Sequence, residues 1–181
     1  HTLDETRNLS DSGQFEDISL QQGIRQILYP YEEMEVLNPE WEVILKDIID
    51  SLFEQMSDEE YNILNEEFGT YMVSRAYEYR QLLEYLVFRY FAKSIYDYDF
   101  LGKCQMLVTN FFVIRQMDII RWLDNHREYS FKDRMDVVHI FSRQVEYSED
   151  NIENLYEDFI FDDIFKTDSL IAILWIDSEN I

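Results

Sequence analysis

Residues 106 to 123 are apolar at nearly every position around a helix, yet they include Arg115, Asp118 and Arg121. A helix that is apolar on all sides is buried, and burying a lone charge is costly. Helical spacing places Arg115 and Asp118 on one side, with Arg121 one turn from Asp118. We therefore predict a structural polar clamp of these three residues that fixes the register between helices. Further acceptors are expected from Glu84, Asp97, Asp99, Glu146 or helix-end carbonyl groups.

The alternative interpretation makes this charged group a cationic pocket that holds the carboxylate of a bound molecule. Two guanidinium groups carry five donors each, which one aspartate cannot satisfy. Both interpretations therefore require acceptors from outside this helix. The sequence pattern alone does not decide between the two interpretations.

Helical periodicity continues along most of the chain, and no strand pattern or internal repeat interrupts it. Asn38-Pro39 and the capping boxes that begin at Ser57 and Ser130 predict helix starts. A break is expected near Pro30, which cannot continue a helix without strain. The sequence thus predicts an all-α fold, a single bundle of about six to eight helices without a sheet. The predicted helices begin near residues 18, 38, 57, 75, 100, 130, 148 and 167, and the one that begins near residue 75 is expected to run to about residue 96.

Length and composition predict a flexible segment over residues 1–17 and one helical domain over residues 18–181. The chain begins at His1 rather than at methionine, which suggests a piece of a larger protein. Its longest apolar runs are shorter than the roughly 18 residues of a membrane span, so no membrane association is expected.

The net charge of −23 is concentrated outside the middle of the chain. Residues 75–143 carry 11 Lys+Arg and 9 Asp+Glu, whereas residues 144–165 carry eight acids and no base. Nucleic acid is excluded as a partner because cations must neutralise its phosphates. The acidic surface is interpreted as a solubilising coat or as a site for a basic protein segment.

The patterns of catalytic and metal sites are weak in this sequence. A single cysteine, Cys104, excludes disulfides and multi-cysteine clusters within the chain. The four glycines are too widely spaced for a phosphate-binding loop. Asp136 and His139 have the i, i+3 spacing of carboxylate-bridged di-iron bundles, but the other ligands are missing. No metal site is predicted, and His139 is interpreted as a core or boundary residue.

Eight aromatic residues lie between Tyr77 and Tyr98. Tyrosine rings attract ammonium groups, so a tyrosine-lined groove is able to hold a lysine side chain. Its expected position is the segment "YDYD" at 96 to 99, with Tyr96, Asp97 and Asp99. The alternative is that these aromatics form the core, with wet hydroxyl ends.

Four blocks of the sequence resemble the C-terminal helical region of the flagellin lysine-N-methylase family. They are "EVLNPEW" (35 to 41), "YLVFRYFAKSIYDYD" (85 to 99), "VIRQMDIIRWL" (113 to 123) and "YSFKDRMDVVHIFSRQVEYSEDN" (129 to 151). Their order and spacing also match, although Gln144 and Tyr147 depart from the family pattern.

The resemblance implies a bacterial cytoplasmic protein that methylates flagellin lysines with S-adenosylmethionine. It also implies an N-terminal half, absent here, whose cysteines hold a metal cluster. We expect this chain to bind no cofactor by itself, to be inactive alone, and to support or shape a site with that half. Flagellin is the second partner that the resemblance implies. The candidate substrate or donor pocket residues are Tyr96, Asp97, Asp99, Arg115, Arg121 and Glu146; the catalytic residues are not identified. The alternative function is a non-catalytic acidic helical adaptor that binds a basic protein segment.

Overall fold

The computed structural model describes the backbone of residues 18–179 and the side chains of residues 18–177. The segment predicted to be flexible, residues 1–17, lies outside this range. Within the described part the chain is helical and contains no strand, which confirms the all-α prediction.

The α-helices are numbered here in chain order. They are α1 (Leu20–Glu32), α2 (Pro39–Ile48), α3 (Asp58–Met72), α4 (Ala76–Phe91), α5 (Ser94–Asp97), α6 (Phe100–Asp124), α7 (Phe131–Phe141), α8 (Glu149–Phe161) and α9 (Thr167–Glu179). Two π-helical turns extend α2 and α7, namely Ile49–Glu54 and Ser142–Glu146. Short 3₁₀ turns occupy Val73–Arg75 and Asp163–Phe165.

Helix starts follow the capping signals in the sequence. The Asn38 side chain accepts a hydrogen bond from the backbone N–H of Glu40, and Pro39 occupies the first helical position. Ser57 and Ser130 form complete capping boxes. These side chains satisfy backbone N–H groups that have no partner within the helix, which explains why the predicted starts are accurate.

Two predicted boundaries differ in the structure. Helix α1 continues through Pro30 and ends at Glu32, because a proline near the end of a helix removes only one hydrogen bond before the helix stops. The helix predicted over residues 75 to 96 ends at Phe91, and the short α5 follows it. Tyr98 then adopts a left-handed conformation with φ of 56°, which turns the chain into α6.

Helix α6 is the centre of the bundle. It packs against α1, α2, α4, α7, α8 and α9, and every residue from 112 to 120 is buried. Neighbours on all sides explain why this helix is apolar around its whole circumference. In the described part of the chain, no helix combines the length and the apolar character needed to cross a membrane.

Candidate functional site

The charge at the middle of α6 is paired across helices. Asp118 is fully buried and accepts hydrogen bonds from Arg134 Nη1 of α7 and from the hydroxyl groups of Tyr79 (2.8 Å) and Tyr129. Arg134 also approaches Glu78, with 3.5 Å between Nε and Oε2. The arginine that pairs with Asp118 is thus Arg134, a residue outside the predicted clamp.

A second arginine joins the same cluster from the start of α4. Arg75 holds Glu78 with both Nε and Nη2, at 2.8 and 3.0 Å, and donates to the backbone carbonyl of Tyr129. We call this group the Asp118 cluster: Arg75, Glu78, Tyr79, Asp118, Tyr129 and Arg134. Its two arginines balance its two carboxylates. Burial, followed by the charge of Asp118, raises the pKa of Tyr79 and of Tyr129, so both remain hydrogen-bond donors.

Arg115 is buried on a different side of α6. Its Nη2 donates to the Asn65 side-chain oxygen at 2.8 Å and lies 3.6 Å from Asp177 Oδ1. The Asn65 amide donates to the same Asp177 oxygen at 2.8 Å. Arg115 therefore ties α6 to α3 and α9 and contacts neither Asp118 nor any of the four predicted acceptors.

Arg121 lies near the end of α6, where the helix leaves the core, and it is half-buried. Among the described residues it forms no hydrogen bond or ion pair that would place it in a clamp. It lines a cleft of about 570 Å³ between α2 and α7, together with Glu40, Asp136 and His139. Arg115, Asp118 and Arg121 thus reach three separate environments.

The cleft beside Arg121 also contains the pair considered for metal binding. Asp136 and His139 both face it, one turn apart on α7. Among the side chains that the structure describes, no group of three His, Cys, Asp or Glu residues is placed to hold a metal ion. The cleft instead combines one guanidinium group with two carboxylates and an imidazole.

The segment predicted as a lysine groove already contains a lysine of the same chain. Lys103 Nζ lies 2.9 Å from Asp97 and 3.6 Å from Asp99, and it donates to the hydroxyl group of Tyr156 at 2.8 Å. It also stands 4.4 Å from the centre of the Tyr156 ring. Tyr96, in contrast, is 85% exposed and takes no part in this contact.

Glu146 lies at the end of the second π-helical turn and is only 7% exposed. Its carboxylate accepts hydrogen bonds from Tyr85 (2.7 Å), Ser142 (2.7 Å) and Tyr90 (3.3 Å). We call these four residues the Glu146 cluster. Burial and then the hydrogen bond to Glu146 raise the pKa of Tyr85 to about 12. Glu146 was expected to accept from an arginine of α6, but its donors are hydroxyl groups.

A chain of hydrogen bonds continues from the Glu146 cluster into the core. The Asn110 amide donates to the Tyr90 oxygen at 3.1 Å, and the Tyr31 hydroxyl donates to the Asn110 oxygen at 2.7 Å. Burial raises the pKa of Tyr31 and of Tyr90. The cluster is therefore anchored by α1, α4 and α6 rather than by the π-helical turn alone.

Glu78, Arg134 and Lys103 were not predicted as buried charged residues that form ion pairs. A signal existed for the first two. Glu78 begins a series with four-residue spacing whose other members are buried, and Arg134 occupies the buried face of α7, three residues before Val137. A charged residue on the apolar face of an amphipathic helix indicates a buried ion pair.

No curated protein and no solved structure matches this chain. A family model described as the FliB lysine N-methylase C-terminal domain matches residues 2–173, which is nearly the whole chain. This chain therefore belongs to the FliB lysine N-methylase C-terminal domain family.

Proposed function

We propose that this chain is the helical part of an enzyme that methylates flagellin lysines with S-adenosylmethionine in the bacterial cytoplasm. In this proposal it supports and shapes the site together with a separate N-terminal half. The observation that carries the proposal is the family match over residues 2–173. The rigid, internally paired charges around α6 support a scaffolding role, because a fixed bundle positions groups at its surface.

The cysteine-bound metal cluster that the family resemblance implies does not fit this chain. Such a cluster needs several thiolates, and the chain has one cysteine. Burial also raises the pKa of Cys104, which favours the neutral thiol over the metal-binding thiolate. The cluster therefore belongs, in this proposal, to the N-terminal half.

The two arginines named as pocket residues differ in their availability to the methyl donor. Arg115 is committed to Asn65 and Asp177, whereas Arg121 faces the open cleft. S-adenosylmethionine carries a carboxylate and an ammonium group. Arg121 suits the carboxylate, and Glu40 or Asp136 suits the ammonium group. The chain would supply this half of a donor site, and the N-terminal half would supply the rest.

The test uses the longer parent protein, flagellin and S-adenosylmethionine, with methylated lysines counted by mass spectrometry. The parent is expected to transfer methyl groups, and the 181-residue chain alone is expected to transfer none. In the parent, Arg121→Ala should raise the KM for the donor by about ten-fold or more, the range for losing a charged hydrogen bond. Arg127→Ala is the matched control, because Arg127 is exposed and pairs with Glu67 at the surface. Turnover by the chain alone would overturn this division of labour.

A second candidate function is the acidic adaptor, and one observation favours it. Glu149, Asp150, Glu153 and Glu157 are all exposed on α8, and no ion pair within the described residues neutralises them. Such a surface attracts a basic segment of another protein. The parent gene discriminates the two functions, since an N-terminal extension with clustered cysteines favours the methylase.

A further inference from the structure

We propose that the Glu146 cluster binds the primary ammonium group of a lysine side chain from a partner polypeptide. The identification of that lysine with a methylation substrate rests on the proposed function; the ammonium site itself rests on the structure. Nothing in the family match assigns a role to Tyr85, Tyr90, Ser142 or Glu146.

The Glu146 carboxylate differs from the other buried carboxylates in how its charge is balanced. Four Asp or Glu residues are buried in the described part of the chain, and three of them lie within 4 Å of an arginine. Glu78 pairs with Arg75, Asp118 with Arg134, and Asp177 with Arg115. The Glu146 carboxylate accepts hydrogen bonds from three hydroxyl groups and forms no ion pair with a described residue, although the Arg89 side chain lies beside Tyr85 and Tyr90. A buried carboxylate without a cation is costly, so this position is set up to receive one.

One arginine of α4, Arg89, lies next to the Glu146 cluster. The Arg89 guanidinium donates to the Glu146 backbone carbonyl at 3.4 Å and lies 5.9 Å from the centre of the Tyr90 ring. It forms no ion pair with the Glu146 carboxylate. Arg89 therefore leaves the Glu146 carboxylate oxygens without direct contact to its guanidinium group.

The Glu146 carboxylate can accept a further hydrogen bond. A carboxylate has about four lone-pair positions, and three hydroxyl groups donate to Glu146. Oε2 accepts from Tyr85 and Ser142, whereas Oε1 receives only the long bond from Tyr90. Oε1 thus retains a position for a charged donor. A hydrogen bond from an ammonium group is stronger than the hydroxyl bond it would join.

The Glu146 cluster can be reached from the surface of the bundle. Tyr85 is 43% exposed and Ser142 is half-buried, so the cluster lies at the surface of the bundle. Phe88, one turn along α4, and Tyr147, the residue after Glu146, are 82% and 78% exposed. Aromatic rings bind both an ammonium group and the methylene stem that carries it. Isolated π-helical turns such as Ser142–Glu146 also occur frequently at functional sites.

The molecule contains an example of the same recognition. Lys103 is held by the carboxylates of Asp97 and Asp99 and by the ring and hydroxyl group of Tyr156. The Glu146 cluster offers the same groups, a carboxylate with tyrosine hydroxyls and rings, but no lysine of this chain occupies it.

The experiment titrates the full 181-residue chain with Nα-acetyl-lysine-N-methylamide and follows ¹³C-labelled tyrosine rings by NMR. The norleucine analogue, which lacks the ammonium group, is the matched ligand control. We expect saturable shifts of the Tyr85 and Tyr90 signals with the lysine compound only, with a dissociation constant on the order of 1 mM. Contacts between the lysine ε-methylene protons and these two rings should appear in nuclear Overhauser spectra of the wild-type chain.

Variants then assign the binding to the carboxylate. Glu146→Gln preserves the size of the side chain and should weaken binding by about ten-fold or more, since a charged hydrogen bond is lost. Glu128→Gln removes an exposed charge outside the cluster and should leave the affinity nearly unchanged. Circular dichroism tests whether both variants are folded. If Glu146→Gln does not fold, the Overhauser contacts in the wild-type chain decide whether the lysine compound binds at the Glu146 cluster.

Equal shifts with the lysine and norleucine compounds, or undiminished binding by a folded Glu146→Gln chain, would overturn the proposal. The proposal would also be overturned if the Overhauser contacts of the lysine compound in the wild-type chain involved only residues outside the Glu146 cluster. These outcomes differ from failure of the proposed function, which is measured by methyl transfer in the parent protein. If the parent protein transfers methyl groups while the Glu146→Gln chain binds the lysine compound as tightly as the wild type, the ammonium site is wrong and the proposed function stands.

Discussion

Two buried carboxylates, Asp118 and Glu146, show how differently one chain treats the same kind of charge. Asp118 lies at the centre of the bundle with an arginine and two tyrosine hydroxyls, so its charge is balanced. Glu146 lies near the surface with three hydroxyl donors, and within the described part of the chain no cation forms an ion pair with it. Hydrogen bonds satisfy the acceptor atoms in both places, but only the Asp118 cluster neutralises the charge.

This difference separates structural charge from charge that is available for binding. A balanced pair deep in the core links helices and leaves no net field for a ligand. An unbalanced carboxylate near the surface keeps its attraction for a cation. The following experiments test this distinction, starting with the largest expected effect.

Arg134→Ala should destabilise the chain by about 3 to 5 kcal/mol, because it leaves Asp118 charged, buried and without a cation. Urea denaturation measures this loss. Replacing both members, Asp118→Leu with Arg134→Met, should cost less than Arg134→Ala, since neither charge is then left alone in the core. Arg80→Ala is the control at an exposed ion pair with Glu84 and should have little effect. A loss for Arg134→Ala no larger than that of the control would contradict the balanced-pair interpretation.

Arg115→Ala and Arg121→Ala form the next contrast. The first removes the contacts to Asn65 and Asp177 and should cost about 3 kcal/mol, as for a broken buried pair. The second changes a half-buried side chain without an ion pair in the described part of the chain and should cost about 0.5 kcal/mol or less. Both are compared in one denaturation series. Equal losses would show that the two arginines have the same structural role.

The Tyr85 hydroxyl reports directly on the Glu146 carboxylate. Its pKa is about 12, above the usual 10.0, because of burial and then the hydrogen bond to Glu146. Between these values the unfolded chain has lost a proton that the folded chain retains, so stability should fall as the pH rises from 10 to 12. Titration of the ¹³C-labelled tyrosine rings measures the shift.

Glu146→Gln should bring the pKa of Tyr85 back towards its usual value, because it removes the charge that opposes the tyrosinate. Tyr85→Phe should lack this part of the pH dependence of stability. An unchanged Tyr85 titration in Glu146→Gln would mean that the carboxylate does not act on this hydroxyl group.

The smallest effect is expected from the exposed acids of α8. Replacing Glu149, Asp150, Glu153 and Glu157 with Gln should leave the fold intact, because surface charges contribute little to stability. If these acids dock a basic partner, the variant should associate more slowly, and the wild-type rate should fall as salt rises past about 0.15 M. Association rates with flagellin, and with the N-terminal half supplied separately, provide the measurement. Rates that respond to neither change would leave α8 as a solvated coat.

The fold could be predicted closely because its signals are local. The starts at Pro39, Asp58 and Phe131 follow from cap residues immediately before them. The position of α6 in the core follows from its apolar circumference. The end of α4 at Phe91 was missed because helical propensity continues into residues 92 to 96, and the left-handed turn falls on a tyrosine, Tyr98, rather than on a glycine or asparagine that would predict it.

The candidate site could be predicted less well from the sequence than the fold. Glu146, Arg121, Asp97 and Asp99 were all named as pocket residues, but the structure distributes them over three places. Asp97 and Asp99 pair with Lys103, Arg121 faces the cleft, and Glu146 contacts hydroxyl groups. Spacing along a helix gives the direction of a side chain, but it does not identify the side chain that approaches from another helix.

By itself, the sequence determined that the chain is helical, that α6 is surrounded, and that the charges within α6 need partners, because periodicity, caps and desolvation act locally. Only the tertiary structure decided which partners they have. Arg115 meets Asn65 and Asp177 from positions 50 and 62 residues away in the chain, and Asp118 meets Arg134 rather than either arginine of its own helix. Ion pairing requires contact within about 4 Å, and such contacts between helices depend on how the whole bundle packs.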